Sequence, residues 1–66
     1  MERTFKLSFG ADNAAFDDNL ETEIARILRE IADRVERDTA QSLCGKHKTI
    51  WDINGNNVGT FVLKCD

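Results

Sequence analysis

The stretch TIWDINGNNVGTFVLK, Thr49 to Lys64, sets two apolar runs around a centre of asparagine and glycine. That pattern reads as a β-hairpin, with strands over 48–53 and 57–64. The length of its loop decides which side chains face the core, because side chains alternate along a strand with period two. A loop of two or four residues puts Trp51 and Ile53 on one face with Val58, Thr60 and Val62, and leaves Phe61 and Leu63 opposite. A three-residue loop shifts the parity by one. Trp51, Ile53, Phe61 and Leu63 then share a face, while Ile50, Asp52, Val58 and Val62 point away. The three-residue loop is the expectation, since it gathers the aromatic residues of the hairpin together. Gly55 and the asparagines tolerate the positive φ that such a loop requires.

The centre of the hairpin also imitates a metal loop. Asp52, Asn54 and Asn56 place oxygens at alternate positions, as a calcium loop does. The pattern then fails twice, because position six is Asn57 rather than glycine and position twelve is Leu63 rather than glutamate. The turn is the better reading.

Working outward, Arg3 to Phe9 (RTFKLSF) alternates cleanly, with Phe5, Leu7 and Phe9 on one side and Thr4, Lys6 and Ser8 on the other. A half-buried strand is expected over 3–9. Residues 11–19 form a polar connection whose one large apolar residue is Phe16. A helix is expected over 18–38: Leu20, Ile24, Ile27, Leu28, Ile31 and Val35 make one apolar stripe, and Asp18 with Glu21 suggests a capping box. Four oppositely charged pairs at i,i+4 support it: Arg26–Glu30, Glu30–Arg34, Arg29–Asp33 and Asp33–Arg37. Residues 39–48 read as a linker broken at Gly45.

These elements assemble as β-α-β-β in a single domain, residues 1–66. The expected fold class is α+β: a three-stranded antiparallel sheet of order 1-3-2, with the last strand central and one helix packed on the aromatic face. The other face is left uncovered and, on the three-residue register, carries Ile50, Val58 and Val62. An open face of that kind suits a homodimer or a partner protein.

Composition sets limits. With 66 residues, 41% apolar and 32% charged, the chain suits a small globular domain with little room for a deep pocket. It contains no apolar run near membrane-spanning length and no signal-peptide pattern, so a cytoplasmic setting with no membrane partner is expected. Cys44 and Cys65 are accordingly expected as free thiols rather than a disulfide. The net charge is −3, yet residues 12–38 hold nine carboxylates against four arginines, a local charge of −5. That argues against direct nucleic-acid binding and for an acidic surface offered to a basic partner.

Candidate chemistry is sparse. Cys44 and His47 have C-x2-H spacing, and Cys65 with Asp52 or Asp66 could complete a zinc set, but a second tight ligand pair is missing. Cys44 with His47 lacks a third group for nucleophilic catalysis. The carboxylate pairs Asp17/Asp18 and Glu21/Glu23 are better explained by the helix N-terminus than by acid–base work. No catalytic residue, cofactor site or metal site is therefore assigned, and no enzymatic activity is expected. The partner-binding residues expected are Asp12, Asp17, Asp18, Glu21, Glu23 and Glu30.

Three segments, FGADNAAFDDN, EIARILREIADRVE and DINGNNVGTFVL, together resemble a family of very small proteins encoded by bacteriophages, prophages and other mobile elements. The likeness spans most of the chain outside 39–48 and leaves out both cysteines. Small acidic phage proteins of this kind include anti-CRISPR proteins, which bind Cas proteins and block target-DNA binding or nuclease recruitment. The resemblance implies a phage-encoded protein that acts on a bacterial host protein in the host cytoplasm. It transfers no catalytic residues.

Overall fold

The structure is a computed structural model that describes residues 2–66. Strand β1 is Arg3–Phe9, helix α1 Leu20–Arg37, helix α2 Ala40–Leu43, strand β2 Lys48–Trp51 and strand β3 Asn57–Cys65, with a single 3-10 turn at Ala14–Phe16. The sheet order is β1-β3-β2, and β3 runs antiparallel to both neighbours. The fold is thus the expected α+β arrangement, with the last strand in the middle. β1 lies against β3 without a break, from Arg3 opposite Cys65 to Phe9 opposite Gly59.

The helix covers one face of the sheet because its apolar stripe repeats at three and four residues. Ile27 and Ile31 are buried and Ile24 and Val35 pack beside them, against Phe16, Leu43, Ile50 and Phe61. Phe16 is carried into this core by the 3-10 turn, whose start is fixed when the Asn13 side chain accepts from the Ala15 N–H. Leu20 and Leu28 belong to the same sequence stripe but stay about half exposed, because the stripe is wider than the surface it covers. Two details of the helix differ from expectation. It begins at Leu20 with Asn19 as N-cap and no side-chain cap, so the Asp18–Glu21 capping box does not form. Of the four expected pairs, only Arg26–Glu30 closes, at 2.9 Å. Arg34 instead donates to the Thr49 carbonyl at 2.8 Å and lies over the Phe61 ring. The supposed linker contains α2, where the Thr39 hydroxyl accepts from the Ser42 N–H and Leu43 enters the core.

The hairpin register reverses the expectation. Lys48 lies opposite Phe61 and Ile50 opposite Gly59, so Ile50 faces the helix and is 1% exposed. Trp51 is 46% and Ile53 65% exposed. The connection, residues 52–56, is five residues long rather than the expected three, because β2 ends at Trp51 and Asp52 and Ile53 belong to the turn. Its length is still odd, and Gly55 is its one positive-φ residue (φ 83°). A bulge between Ile50 and Trp51 then adds a second parity step on the β3 side and cancels the first. Ile50 therefore does not lie on the open face. Val58 is half-buried against the core, and only Val62 stays on the uncovered side. That side presents Thr4, Lys6, Ser8, Thr49, Thr60 and Lys64, with Val62 buried among them and Trp51, which alternates with Ile50, at its β2 end.

Next to the bulge, Gly59 of β3 lies directly against β1, opposite Phe9. A β-carbon on Gly59 would collide with the Ser8 carbonyl and come within 2.6 Å of the Phe9 Cα. Glycine is required there by space rather than by φ.

Cys44 and Cys65 form a disulfide, with 5.7 Å between their Cα atoms. This overturns the expectation of two free thiols. The cause is topological: Cys44 bridges to Leu63 beside β3, and the Gly45 N–H donates to the Leu63 carbonyl at 2.8 Å. Sequence distance hid this contact, since the two sulfurs are 21 residues apart.

A candidate acidic docking surface

One end of the molecule is organised around two buried carboxylates. Asp52 Oδ1 accepts from the Asn54 and Asn56 N–H groups, each at 2.9 Å. Its Oδ2 accepts from Asn13 Nδ2 at 2.7 Å and from Asn56 Nδ2 at 3.2 Å. Four donors occupy the four lone-pair directions of one carboxylate, so the oxygens that resembled a calcium ligand are committed to the turn. Burial disfavours the charge on Asp52, but the bonds from Asn56, Asn13 and Asn54 outweigh it and hold the carboxyl below its ordinary value.

Glu23 is the second anchor. Its carboxylate takes a two-point contact from Arg26, at 2.7 and 3.0 Å, and accepts from the Ile53 N–H at 2.9 Å. The Arg26 bond, against the desolvation of burial and aided by Ile53, keeps this carboxyl below the usual glutamate range. Glu23 was expected at a partner-binding surface. It is instead buried, and ties the first turn of α1 to the hairpin loop. Glu30 also leaves the set of free acids, because it shares Arg26 with Glu23.

The remaining expected residues behave differently. Asp12, Asp17, Asp18 and Glu21 are all exposed. Among the described residues the ion pairs join Arg26 to Glu23 and Glu30, and Lys48 to Asp38, so none of these four carboxylates has a cation within ion-pair distance. Their backbone is held at Asn13 by Asp52, at Phe16 by the core and at Glu23 by Arg26 and Ile53. Four unneutralised charges thus ride on one segment with three fixed points. Desolvating such charges is costly unless a cationic surface meets them, and against that surface they gain both attraction and steering.

The other sequence candidates are not assembled. The cysteines are bonded to each other and cannot act as thiolate ligands or nucleophiles. His47 lies at the rim of the uncovered sheet face near Lys6 and Lys64. Among the described residues no helix is long and apolar enough to cross a membrane. Sequence reasoning missed the buried roles of Glu23 and Asp52. The signal for Asp52 was present in the D-x-N-x-N spacing, which is also that of a side chain bonding its own turn.

The chain matches no protein-family model, no curated protein and no solved structure.

Proposed function

We propose that this protein is a non-enzymatic inhibitor, of phage or other mobile-element origin, that docks an acidic surface onto a basic face of a bacterial defence protein. A CRISPR–Cas component is the partner that best suits this chemistry, since its nucleic-acid channel is a basic surface. Occupying that surface blocks nucleic-acid binding or nuclease recruitment. The observation that carries the proposal is the exposed, unpaired group Asp12, Asp17, Asp18 and Glu21 on a pinned segment. The phage-like sequence pattern supports the same direction. Glu23 and Glu30 support the surface from beneath and at its border rather than contacting the partner.

The test is a charge reversal. Asp17→Lys, Asp18→Lys and Glu21→Lys combined should keep a folded far-UV circular dichroism spectrum, because none of the three makes an internal ion pair, with a lower melting temperature from placing cations at the N-terminus of α1. Affinity for a basic nucleic-acid-binding Cas protein should fall by roughly a hundred-fold or more, as close charge pairs at an interface couple by ~1.5–7 kcal/mol. Unchanged affinity at moderate salt would rule the surface out. The alternative, a homodimeric module that uses the open sheet face, loses Ile50 to the core, while the same register turns the half-exposed Trp51 toward that face.

A further inference from the structure

We infer that the outer edge of β1, with the apolar groove beside it, is a self-association site at which a second copy of this chain pairs its own β1 antiparallel to the first. The two edges of the sheet are not equivalent. At the β2 edge Arg34 reaches across to the Thr49 carbonyl. At β1 the phase of the ladder is fixed by Gly10 N–H donating to Val58 and Asp66 N–H donating to Glu2. In an antiparallel pair the bonded residues alternate, so the even-numbered residues of β1 turn their backbone groups to β3. The N–H and C=O of Phe5 and Leu7 therefore point outward, and among the described residues no hydrogen bond reaches them. Beside this edge runs a groove of about 430 Å³, lined by Phe5, Leu7, Leu28, Ile31, Ala32 and Val35, with Glu36 as its one charged lining residue. Phe5 and Leu28 each stay 45% exposed there.

An occupant must supply outward-facing backbone and apolar side chains at alternate positions on the helix side of the sheet. β1 has that pattern itself, in Phe5, Leu7 and Phe9. A two-fold axis normal to the sheet keeps both helices on the same side, so Phe5 and Leu28 of the two copies close over the seam and the sheets join into six strands. Charge selects the register. Centring on Lys6 would oppose two lysines directly, whereas centring on Phe5 or Leu7 sets each Lys6 opposite a hydroxyl residue, Thr4 or Ser8. The association is weak. Stable interfaces take ~800 Å² from each partner, and one seven-residue edge with its groove is a modest part of a surface of 4678 Å².

Sedimentation equilibrium from micromolar to millimolar protein tests this. The mass should rise with concentration from 7.5 kDa towards twice that value. Phe5→Pro removes an outward N–H without touching the ladder to β3, and Leu28→Lys puts a charge in the groove from the helix side. Each should weaken association roughly ten-fold or more, with circular dichroism unchanged, while Phe5→Leu should retain it. A wild-type mass that stays at 7.5 kDa throughout overturns the inference, as does undiminished dimerisation by either folded variant. The outcome is independent of the acidic surface, whose charge reversal leaves β1 and Leu28 intact.

Discussion

Asp52 shows how much one side chain settles in so small a domain. Its carboxylate fixes the hairpin loop to itself and to the approach segment through Asn13. Asp52→Ala should lower the melting temperature by several degrees and raise amide exchange at Asn54 and Asn56, measured by NMR. Asp52 and Glu23 both titrate below their ordinary values when folded, so the unfolded chain binds more protons near those values. Their contribution is complete above about pH 5 and is lost as the pH falls through ~4 and below. Denaturant unfolding between pH 2 and 7 should show that acid limb, and Asp52→Asn or Glu23→Gln should flatten it. A limb of unchanged steepness in both variants would remove these carboxyls from the account. At Gly59 the constraint is space. Gly59→Ala should destabilise by ~1–3 kcal/mol, the usual cost of overpacking, because the new methyl meets backbone of β1 rather than a movable side chain.

At the scale of elements, the order of the strands and the seat of the helix were legible because periodicity speaks directly to them. The stripe through Ile24, Ile27, Ile31 and Val35 and the alternation of Phe5, Leu7 and Phe9 needed no tertiary knowledge. The hairpin register was not legible, because the loop and the bulge each shift parity and only the loop shows in the sequence. The bulge leaves Val58 without a partner on β2, next to Gly59, which lies against Phe9 fifty residues earlier in the chain. The disulfide was hidden likewise, since it follows from α2 bringing Cys44 beside the end of β3. Closing a loop of 21 residues contributes ~3 kcal/mol in the chain-entropy picture, comparable with the ~3–5 kcal/mol a core of this size supplies. Reduction, or Cys44→Ser with Cys65→Ser, should therefore lower the melting temperature by roughly 10 °C or more, read by calorimetry. Cytosolic reductants keep such bonds open. Action in a bacterial cytoplasm then requires the double serine variant to bind its partner as the wild type does. The acidic segment is anchored at Asn13, Phe16 and Glu23, none of which contacts the bridge, so binding should survive.

For the whole molecule, charge is segregated. Net charge of −3 conceals an acidic approach segment and first helical turn at one place, and an uncovered sheet face bearing Lys6 and Lys64 at another. The sequence made the concentration of acids between residues 12 and 38 plain. It could not separate acids that face solvent from acids that hold the fold, and the structure draws that line between Glu21 and Glu23. The central claim is that the solvent-facing set, Asp12, Asp17, Asp18 and Glu21, meets a basic nucleic-acid-binding surface of a defence protein. The most direct measurement is a competition titration, in which the protein is added to a fluorescent target DNA bound by a CRISPR–Cas effector. The wild type should displace the DNA in a salt-dependent manner, and the Asp17→Lys, Asp18→Lys, Glu21→Lys protein should not. Displacement by both proteins to the same extent would contradict the claim, as would failure of the wild type to displace DNA or to bind the effector.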